Sequence, residues 1–368
     1  MTLFGYDQGV FSGVIVTDDF LILHGLLGDT TKISTLSAIY AVGCFFGAVI
    51  AFTVGERFGR KKTILIGTTI MSVGTVIMAA SYSLPQIFVG RIILGLGNGI
   101  NTATAPIWQT ETSKATWRGK LVILEMWMNI AGFAMVQWIN YGLSFAGGSV
   151  AWRFPIAFQF FFIFILYATV PWLPESPRWL VAHGRQDEAR SIMAALEAKP
   201  EFDPYIITQM QEIEFSVKYE RENSLSWRDI LMGKKSETGD TKTLRRLLLG
   251  AGTQFIQQFE GINIMSYYLP TVLIEAVGLS NTMARLLTAI NSITYLVFSF
   301  AAVPLVERIG RRGLMLLSTA GQGLAFLIIT ILIRFSSNPE NGENIAKSSI
   351  AFFFLYYIAF DQLIANED

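Results

Sequence analysis

Three side-chain amides stand within one long apolar stretch of the sequence, at Gln257, Gln258 and Asn263. A polar side chain inside a membrane-spanning segment costs free energy unless it faces a partner or a water-filled cavity. An amide both donates and accepts hydrogen bonds, as a hydroxyl group does, so these residues could bind a polyhydroxylated solute. The same amides could instead join neighbouring helices through hydrogen bonds, and that alternative stays open at this point.

An acid and a base also lie within apolar stretches, at Asp7 and Arg91. An ionisable residue inside a membrane span indicates a functional site by default. A neighbouring arginine changes the proton affinity of a buried carboxyl group, so opening and closing an Asp7–Arg91 pair could bind and release a proton. The alternative is a permanent structural ion pair.

Residue patterns that would indicate an enzyme or a cofactor site are absent from the sequence. It contains a single cysteine, Cys44, and two widely separated histidines, so we expect no metal site and no cofactor. It has no glycine-rich phosphate loop followed by a lysine, and no nucleophile beside a base. The formal net charge of +0 provides no basic excess for binding nucleic acid. We therefore expect neither an enzyme nor a nucleic-acid-binding protein.

Long apolar segments must position the polar residues described above. Of the 368 residues, 52% are hydrophobic and 15% are charged, whereas soluble proteins carry about 25% charged residues. A helix needs about 20 apolar residues to cross a bilayer. Ten candidate spans of roughly this length lie near 3–21, 34–54, 63–81, 86–107, 121–142, 153–173, 247–273, 284–305, 314–334 and 348–364. The sequence therefore predicts an all-α, multi-pass protein in a lipid bilayer.

A basic turn occurs twice between apolar segments. Residues 55–62 read Gly-Glu-Arg-Phe-Gly-Arg-Lys-Lys, and residues 306–313 read Val-Glu-Arg-Ile-Gly-Arg-Arg-Gly. The repetition indicates two related halves, which is a recurrent plan among secondary transporters. Because cytoplasmic loops carry an excess of lysine and arginine, we expect the basic turns to face the cytoplasm.

The distribution of apolar and polar residues predicts three parts. Residues 1–173 are expected to form an N-terminal six-helix bundle, and residues 174–246 a cytoplasmic linker with short helices. Residues 247–368 are expected to form an incomplete C-terminal bundle. Two further spans would be needed to match the first half, so we interpret the chain as truncated at its C-terminus, with about ten of twelve transmembrane helices.

Several motifs, in this order along the chain, resemble the sugar-porter family of the major facilitator superfamily. Within that family the resemblance is to the fungal hexose and polyol carriers, and it covers nearly the whole sequence. Besides the two basic turns, the motifs are Gly5-Tyr-Asp-Gln-Gly9, Pro106-Ile-Trp-Gln-Thr-Glu111 with Arg118-Gly119, Pro174-Glu-Ser-Pro-Arg178, Gln257-Gln258 and Gly261-Ile-Asn263. The resemblance implies the major facilitator fold, with two helical bundles around a midplane site.

The resemblance also implies which residues bind substrate. The amides that match Gln257, Gln258 and Asn263 contact the sugar in the family, and Tyr267 and Tyr268 match an aromatic pair that lines or gates the outer cavity.

Two positions depart from the family pattern. Met126 stands where many sugar porters have a glutamine, and Tyr295 stands where glucose carriers have an asparagine. Asn291 lies one helical turn from Tyr295 and could take its place as a ligand.

The charged residues acquire roles by the same resemblance. Asp7 and Arg91 match the pair whose acid binds a proton in the symporters of the family. A cytoplasmic set is implied to form interdomain salt bridges that hold the outward-open state, with anchoring at the membrane interface as the alternative role. This set comprises Glu56, Arg60, Glu111, Arg118, Glu175, Arg178, Glu307 and Arg311.

We therefore expect a secondary-active transporter that moves a hexose or related polyol by alternating access, in symport with a proton. Its partners would be the sugar or polyol, the proton and the lipid bilayer. The plasma membrane is the expected location, with the vacuole as the alternative. The departures at Met126 and Tyr295 leave quinate, inositol or a disaccharide open as the substrate. A transport-inactive carrier fragment or a nutrient sensor remains the alternative function.

Overall fold

A computed structural model describes residues 1–114, 117–222, 243–335 and 342–364 of the chain. Every regular element within these ranges is helical, so the predicted all-α fold is confirmed. The first seven helices are α1 (Thr2–Val14), α2 (Asp18–Leu23), α3 (Thr30–Phe58), α4 (Arg60–Ala79), α5 (Leu84–Thr112), α6 (Arg118–Ser144) and α7 (Val150–Thr169).

Three shorter helices follow, and they pack on one another through a small apolar core. They are α8 (Pro177–Ala182), α9 (Gln186–Glu197) and α10 (Pro204–Glu222). Leu180, Ala189, Ile206 and Met210 are buried between them. A Ser176 side chain caps α8 by accepting a hydrogen bond from the backbone N–H of Trp179.

Five long helices make up the rest of the described chain. They are α11 (Thr243–Phe259), α12 (Ile262–Glu275), α13 (Asn281–Ile309), α14 (Arg311–Phe335) and α15 (Gly342–Ile364). The side chains of Glu307 and Arg311 lie outside the described part of the structure, so their predicted salt bridges are not described either.

Six of the described helical segments are long and apolar enough to cross a membrane. They are Thr30–Phe58, Arg60–Ala79, Arg118–Ser144, Val150–Trp172, Asn281–Phe300 and Arg312–Phe335. A seventh long helix, α5, carries more polar side chains, including Arg91. A chain with this many apolar crossings is an integral, multi-pass membrane protein.

The structure interrupts two of the predicted continuous spans. The first span ends as a helix at Val14, and α2 begins at Asp18 after an extended Thr17 whose hydroxyl donates to the Gly13 carbonyl oxygen. The seventh span is divided between α11 and α12 at Gly261, which has φ +89°. A Cβ at Gly261 would lie 2.8 Å from the Phe326 ring, so both the conformation and the close approach require glycine there.

The first basic turn is built around Gly59, which also has a φ of +89°. This backbone conformation favours glycine, and a Cβ at this position would also lie 2.5 Å from Oε2 of Glu175 and displace that carboxylate. Helix α3 ends immediately before Gly59 and α4 begins immediately after it. The repeated motif of the sequence is thus a tight connection between two antiparallel membrane helices.

The two halves of the chain meet along two pairs of helices. Helix α1 packs against α12, and α6 packs against α13. Within the first half, α5 packs closely on both α3 and α4, and α1 packs on α6. A cavity between the halves is therefore bordered by α1 and α6 on one side and by α12 and α13 on the other.

Candidate functional site

A cavity of about 470 Å³ lies between the two halves. From the first half, its polar lining comprises Gln8, Tyr40, Thr102 and Asn129. From the second half, its polar lining comprises Gln257, Gln258, Asn263, Ser266, Tyr267 and Tyr295. Cavities of a few hundred Å³ with convergent polar groups are typical of small-molecule binding sites.

Four of the six predicted substrate ligands line this cavity. Gln257, Gln258, Asn263 and Tyr267 reach it from the two helices on either side of the interruption at Gly261. The amide nitrogen Nδ2 of Asn263 donates to Oε1 of Gln258 over 2.7 Å, so two of the ligands orient each other. The interruption places side chains from two helix ends on one wall, which a continuous helix could not do.

The other two predicted ligands lie elsewhere. Tyr268 packs against the apolar core of the first half. Asn291 is 2% exposed and does not line the cavity. Its Oδ1 atom has no hydrogen-bond partner among the residues that the structure describes.

The two departures from the family pattern both face the cavity. Met126 lies on its wall in α6, and Tyr295 lies on its wall in α13. The Tyr295 ring meets the Phe133 ring edge-on at a centroid distance of 6.4 Å. Part of the cavity wall is therefore aromatic and apolar.

Sequence reasoning missed Asn129 as a cavity residue. It follows Met126 by three positions, so both side chains lie on the same face of α6. Its Oδ1 atom is buried without a hydrogen-bond partner in the described part of the chain. The helical spacing from Met126 was the signal that could have found it.

Asp7 is completely buried in α1, beside the cavity. The amide nitrogen Nε2 of Gln159 donates to Oδ1 of Asp7 over 3.1 Å. The side chain of Tyr40 also bonds to Asp7, and Tyr40 itself lines the cavity. One side chain, Tyr40, therefore separates Asp7 from the cavity.

Arg91 is also completely buried, but its contacts differ from those of a simple ion pair. Its guanidinium carbon lies 3.6 Å from the centroid of the Phe11 ring and 4.7 Å from that of Tyr40, both within the range of cation–π attraction. Its Nε atom donates to the Leu36 carbonyl oxygen over 3.3 Å. No Asp7–Arg91 contact within 4 Å occurs among the described salt bridges, although the arginine charge acts on Asp7 through space. Tyr40 contacts both residues and connects them.

A second buried arginine closes the cavity on the side away from the basic turns. Arg285 lies at the start of α13 and is 5% exposed. Its Nη2 atom donates to the Val16 carbonyl oxygen over 3.0 Å and to the Thr17 hydroxyl oxygen over 2.9 Å. Its Nη1 atom donates to the Asn140 carbonyl oxygen over 3.4 Å.

Asn281 strengthens the same closure. Its Nδ2 atom donates to the Val16 carbonyl oxygen over 2.8 Å, and its Oδ1 atom accepts from Nε of Arg285 over 2.6 Å. The cavity residue Tyr295 lies about 15 Å further along α13, towards the basic turn. Hydrogen bonds therefore hold the two halves together on one side of the cavity. We call this set of contacts the outer clasp. Its members are Asn281, Arg285, Val16, Thr17 and Asn140.

The predicted cytoplasmic charges make a compact group around the first basic turn. Nε of Arg60 donates to Oε2 of Glu111 over 3.0 Å, and Nη2 donates to Oε1 over 3.2 Å, which is a two-pronged contact. The Glu175 carboxylate accepts from the backbone N–H groups of Arg60 and Lys61 at the beginning of α4. A negative charge at a helix N-terminus is stabilising.

The remaining members of the predicted set have other partners. Arg178 pairs with Glu220 in α10, and this hydrogen bond raises the pKa of the Arg178 guanidinium. The Glu56 carbonyl oxygen accepts from the Trp179 indole over 2.7 Å, and Arg118 is exposed. The contacts described for this set thus lie within the first half and the three short helices.

Two helical halves around a polar cavity, closed on one side, define a membrane carrier with the major facilitator fold. The chain belongs to the sugar transporter family: the family model described as "Sugar (and other) transporter" matches residues 1–365. The members of this family are transporters and not enzymes, as the sequence predicted. The expected resemblance to sugar porters is therefore confirmed.

Relatives and solved structures agree with this assignment. The MFS-type transporter oryC of Aspergillus oryzae is 70% identical over 98% of this chain and 67% of its own length. The sugar transporter STL1 of Saccharomyces cerevisiae is 34% identical over 95% of this chain and 63% of its own length. The chain thus spans about two thirds of the length of these relatives.

Solved structures of a bacterial transporter share the fold. The xylose transporter XylE of E. coli, in a partially occluded inward-open conformation, matches with a TM-score of 0.80 and 23% identity over 99% of this chain and 80% of that one. The proton:xylose symporter XylE bound to 6-bromo-6-deoxy-D-glucose matches with a TM-score of 0.78 and 25% identity, over 100% of this chain and 78% of that one.

Proposed function

We propose that this protein moves a sugar or related polyol across the plasma membrane by alternating access, in symport with a proton. The observation that carries the proposal is the single cavity that joins Gln257, Gln258 and Asn263 with the neighbourhood of Asp7. Amides that donate and accept suit hydroxyl groups of a solute. A buried acid one side chain from that solute suits proton coupling.

Asp7 and Tyr40 carry the coupling step. Tyr40 lines the cavity and contacts both Asp7 and Arg91, so a solute that moves Tyr40 changes the surroundings of the acid. Arg91 is held on the Phe11 ring and on backbone oxygens, which leaves it close enough to act on Asp7 without a fixed ion pair. Binding of solute and binding of the proton therefore depend on one set of side chains.

The outer clasp supports the alternating-access part of the proposal. It joins the two halves on the side away from the basic turns, while the cavity lies on the side of those turns. We interpret this arrangement as an inward-facing state. Release of Arg285 from Val16, Thr17 and Asn140 would let α1 and α6 separate from α13 and open the cavity to the other side.

The cavity also bears on the choice of substrate. The Met126 side chain and the rings of Phe133 and Tyr295 form an apolar part of the cavity wall. Such a wall favours a solute with a less polar face than glucose, and it keeps quinate, inositol or a disaccharide as candidate substrates. The relatives include one protein named a sugar transporter and one named only an MFS-type transporter, so their names leave this choice open.

Uptake of labelled solutes by a yeast strain that lacks its hexose transporters would test the proposal. The strain would express this chain and be supplied with glucose, xylose, glycerol, inositol or quinate at acidic and at neutral pH. We expect uptake of at least one solute, faster at acidic pH, and loss of accumulation in Asp7→Asn. The matched control is Asp18→Asn, because Asp18 is an exposed acid in α2.

Two results would contradict the proposal. If the protein reaches the plasma membrane but neither transports nor binds any of these solutes, the sensor or inactive-fragment alternative replaces it. If Asp7→Asn accumulates solute as well as the unmodified protein does, transport is not coupled to a proton through Asp7. Localisation by fluorescence microscopy in the same strain distinguishes the plasma membrane from the vacuole.

A further inference from the structure

A proline lies inside helix α5, at Pro106. Proline has no backbone N–H group, so it cannot donate to the carbonyl oxygen of the residue four positions earlier. In α5 that residue is Thr102. The helix therefore continues past a missing backbone hydrogen bond, and the Thr102 carbonyl oxygen lacks the donor that a regular helix provides.

The missing hydrogen bond lies on the face of α5 that borders the cavity. Thr102 and Pro106 both line the cavity, and both are partly exposed. In an α-helix the carbonyl group of one residue points towards the residue four positions later, and these two residues share a face. The ring of a proline in a helix also crowds that carbonyl group. The Thr102 carbonyl oxygen is therefore presented to the cavity.

The side chain of Thr102 adds a second acceptor at the same place. Its hydroxyl group donates to the Asn98 carbonyl oxygen over 2.9 Å, with the Gly99 carbonyl oxygen also in reach at 3.3 Å. A hydroxyl group has one proton and two lone pairs. Because the proton is used inside α5, the Oγ1 atom can only accept a hydrogen bond from the cavity. Thr102 thus offers the cavity two acceptors and no donor.

We infer that Thr102 is a solute-binding residue, which accepts a hydrogen bond from a solute hydroxyl group on the carbonyl oxygen that Pro106 leaves free. The Oγ1 atom is the second acceptor for the same or a neighbouring hydroxyl group. The inference rests on the proposed function and adds to it a ligand from the first half of the chain. Because Thr102 only accepts, the solute must present an O–H group there, and an ether or carbonyl oxygen would not serve.

This ligand complements the amides of the second half. Gln257, Gln258 and Asn263 carry both donors and acceptors and line the same cavity. A polyol bound between them and Thr102 would contact both halves. The acceptor on Thr102 belongs to the backbone, so no side-chain rotamer has to be fixed when the solute binds.

Helix α7 contains a matched proline that lacks this role. Pro155 lies inside α7 and frees the Ala151 carbonyl oxygen in the same way. Neither Ala151 nor Pro155 lines the cavity. A change from proline to alanine restores an N–H donor in either helix, but only the change in α5 removes an acceptor from the cavity.

The test is solute binding to the purified full chain, measured by isothermal titration calorimetry. The probes are glucose, myo-inositol and the forms of each that lack one hydroxyl group. Pro106→Ala lets the Thr102 carbonyl oxygen bond within α5, so the Kd of the probe that binds should rise by about 3- to 10-fold, as for one lost hydrogen bond. Pro155→Ala is the control and should leave the Kd unchanged.

The deoxy probes separate a lost acceptor from a changed bend of α5. A changed bend would weaken the binding of every probe by the same factor. A lost acceptor weakens only the probes that carry the hydroxyl group bonded to Thr102. One deoxy form should therefore bind equally well to the unmodified and the Pro106→Ala proteins.

A second pair of variants keeps the proline and tests the side chain. Thr102→Val removes Oγ1 and should weaken binding, whereas Thr102→Ser keeps both acceptors and should bind as the unmodified protein does. If Pro106→Ala does not fold, this pair decides, and equal Kd values for Thr102→Val and Thr102→Ser then overturn the inference.

The results distinguish this inference from the proposed function. If the unmodified protein binds glucose or myo-inositol and Pro106→Ala binds it equally well, the inference is wrong and the proposed function stands. A loss of the same factor for every deoxy form also overturns the inference. If the unmodified protein binds neither probe nor any solute of the uptake experiment, the proposed function fails and the inference fails with it.

Discussion

Arg91 and Arg285 are two buried arginines with opposite structural roles. Arg91 contacts the Phe11 and Tyr40 rings and the Leu36 carbonyl oxygen, all of which belong to the first half of the chain. Arg285 belongs to the second half, and three of its hydrogen bonds reach Val16, Thr17 and Asn140 in the first. One arginine is held within a half, and the other joins the halves.

In the alternating-access cycle proposed above, contacts of the first kind would persist, whereas contacts of the second kind would break. A buried charge that keeps the same partners in every state contributes to the stability of its bundle. A buried charge whose partners lie on the other half favours the conformation in which those contacts form. It shifts the balance between the inward-facing and outward-facing states only by the difference in its interaction free energy between them. The same distinction applies to the group around Arg60, Glu111 and Glu175, whose contacts lie within the first half and the short helices.

The largest expected effect is on stability, at the arginine held within one half. Arg91→Ala removes a buried cation from its ring and carbonyl partners and leaves Asp7 without the opposite charge that acts on it. We expect a loss of about 3–5 kcal/mol in the free energy of unfolding, from a desolvated cation–π contact of about 2 kcal/mol and charge-assisted hydrogen bonds of about 1.5–3 kcal/mol. Denaturation of the purified protein measures it, with the exposed Arg312→Ala as the control. A change no larger than that of the control would show that Arg91 is not held as the structure indicates.

Breaking the outer clasp is expected to have a smaller effect. It should change the equilibrium between the inward-facing and outward-facing states rather than the free energy of unfolding. Arg285→Ala removes charge-assisted hydrogen bonds worth about 1.5–3 kcal/mol, and it should move the equilibrium towards the outward-facing state by roughly 10- to 150-fold. Spin labels at Ile22→Cys and Met283→Cys, in a Cys44→Ser background, measure the distance across the outer side.

The distance between these labels should lengthen in Arg285→Ala and stay the same in Arg91→Lys, which keeps a cation inside the first half. If Arg285→Ala leaves the distance distribution unchanged, the clasp does not control the outer opening. If Arg91→Lys lengthens it as much, the distinction between the two arginines fails.

A still smaller effect is expected at the first basic turn. Glu175→Ala removes the carboxylate that accepts from the backbone N–H groups of Arg60 and Lys61. Loss of such a cap costs about 1 kcal/mol of stability, and it should leave the distance between the outer labels unchanged. Glu201→Ala, at an exposed acid before α10, is the matched control. A lengthened or shortened outer distance in Glu175→Ala would show that the turn takes part in the balance of states.

The smallest effect is expected from His24, which lies in the outer connection after α2. Burial is the main cause that lowers the pKa of its imidazole; the hydrogen bond to the Phe20 carbonyl oxygen opposes this, nearby Arg153 lowers the pKa further and Asp19 raises it. The ring bonds to the Phe20 carbonyl oxygen and to the Ser81 hydroxyl group, and it packs against Trp152. The folded state therefore favours the neutral ring, so the stability that His24 contributes is present near neutral pH and is lost as the pH falls below the usual histidine range.

Thermal unfolding at neutral and mildly acidic pH measures this contribution. His24→Gln should make the stability less sensitive to acid, whereas His183→Gln, at an exposed histidine stacked on Trp179, should not. Equal acid sensitivity of the His24→Gln and unmodified proteins would contradict the prediction.

Much of the fold could be predicted from the sequence because each signal was local. The apolar lengths predicted the helices, and the repeated turns around Gly59 and Gly310 indicated two related halves. The interruption at Gly261 was not predicted, because a single glycine in an apolar run does not reveal that the Phe326 ring will lie against it. The early end of α1 at Val14 was missed for a similar reason, since Thr17 and Asp18 occur at the end of an apolar stretch.

The candidate site was only partly accessible to sequence reasoning. Asp7, Arg91 and the amides Gln257, Gln258 and Asn263 stand out because polar residues are rare in apolar spans. Their partners do not stand out: Gln159, for example, is an ordinary amide until the fold brings it to Asp7.

By itself, the sequence determined the class of this protein and its all-helical fold. It also identified the polar residues whose burial in an apolar span costs free energy. Those properties follow from the free energy of placing each segment in a bilayer, which depends on composition and length. Only the tertiary structure decided that Arg91 is held within one half while Arg285 joins two. Hydrogen bonds and buried charges depend on distances of a few ångströms between residues far apart in the chain, and no local pattern encodes those distances.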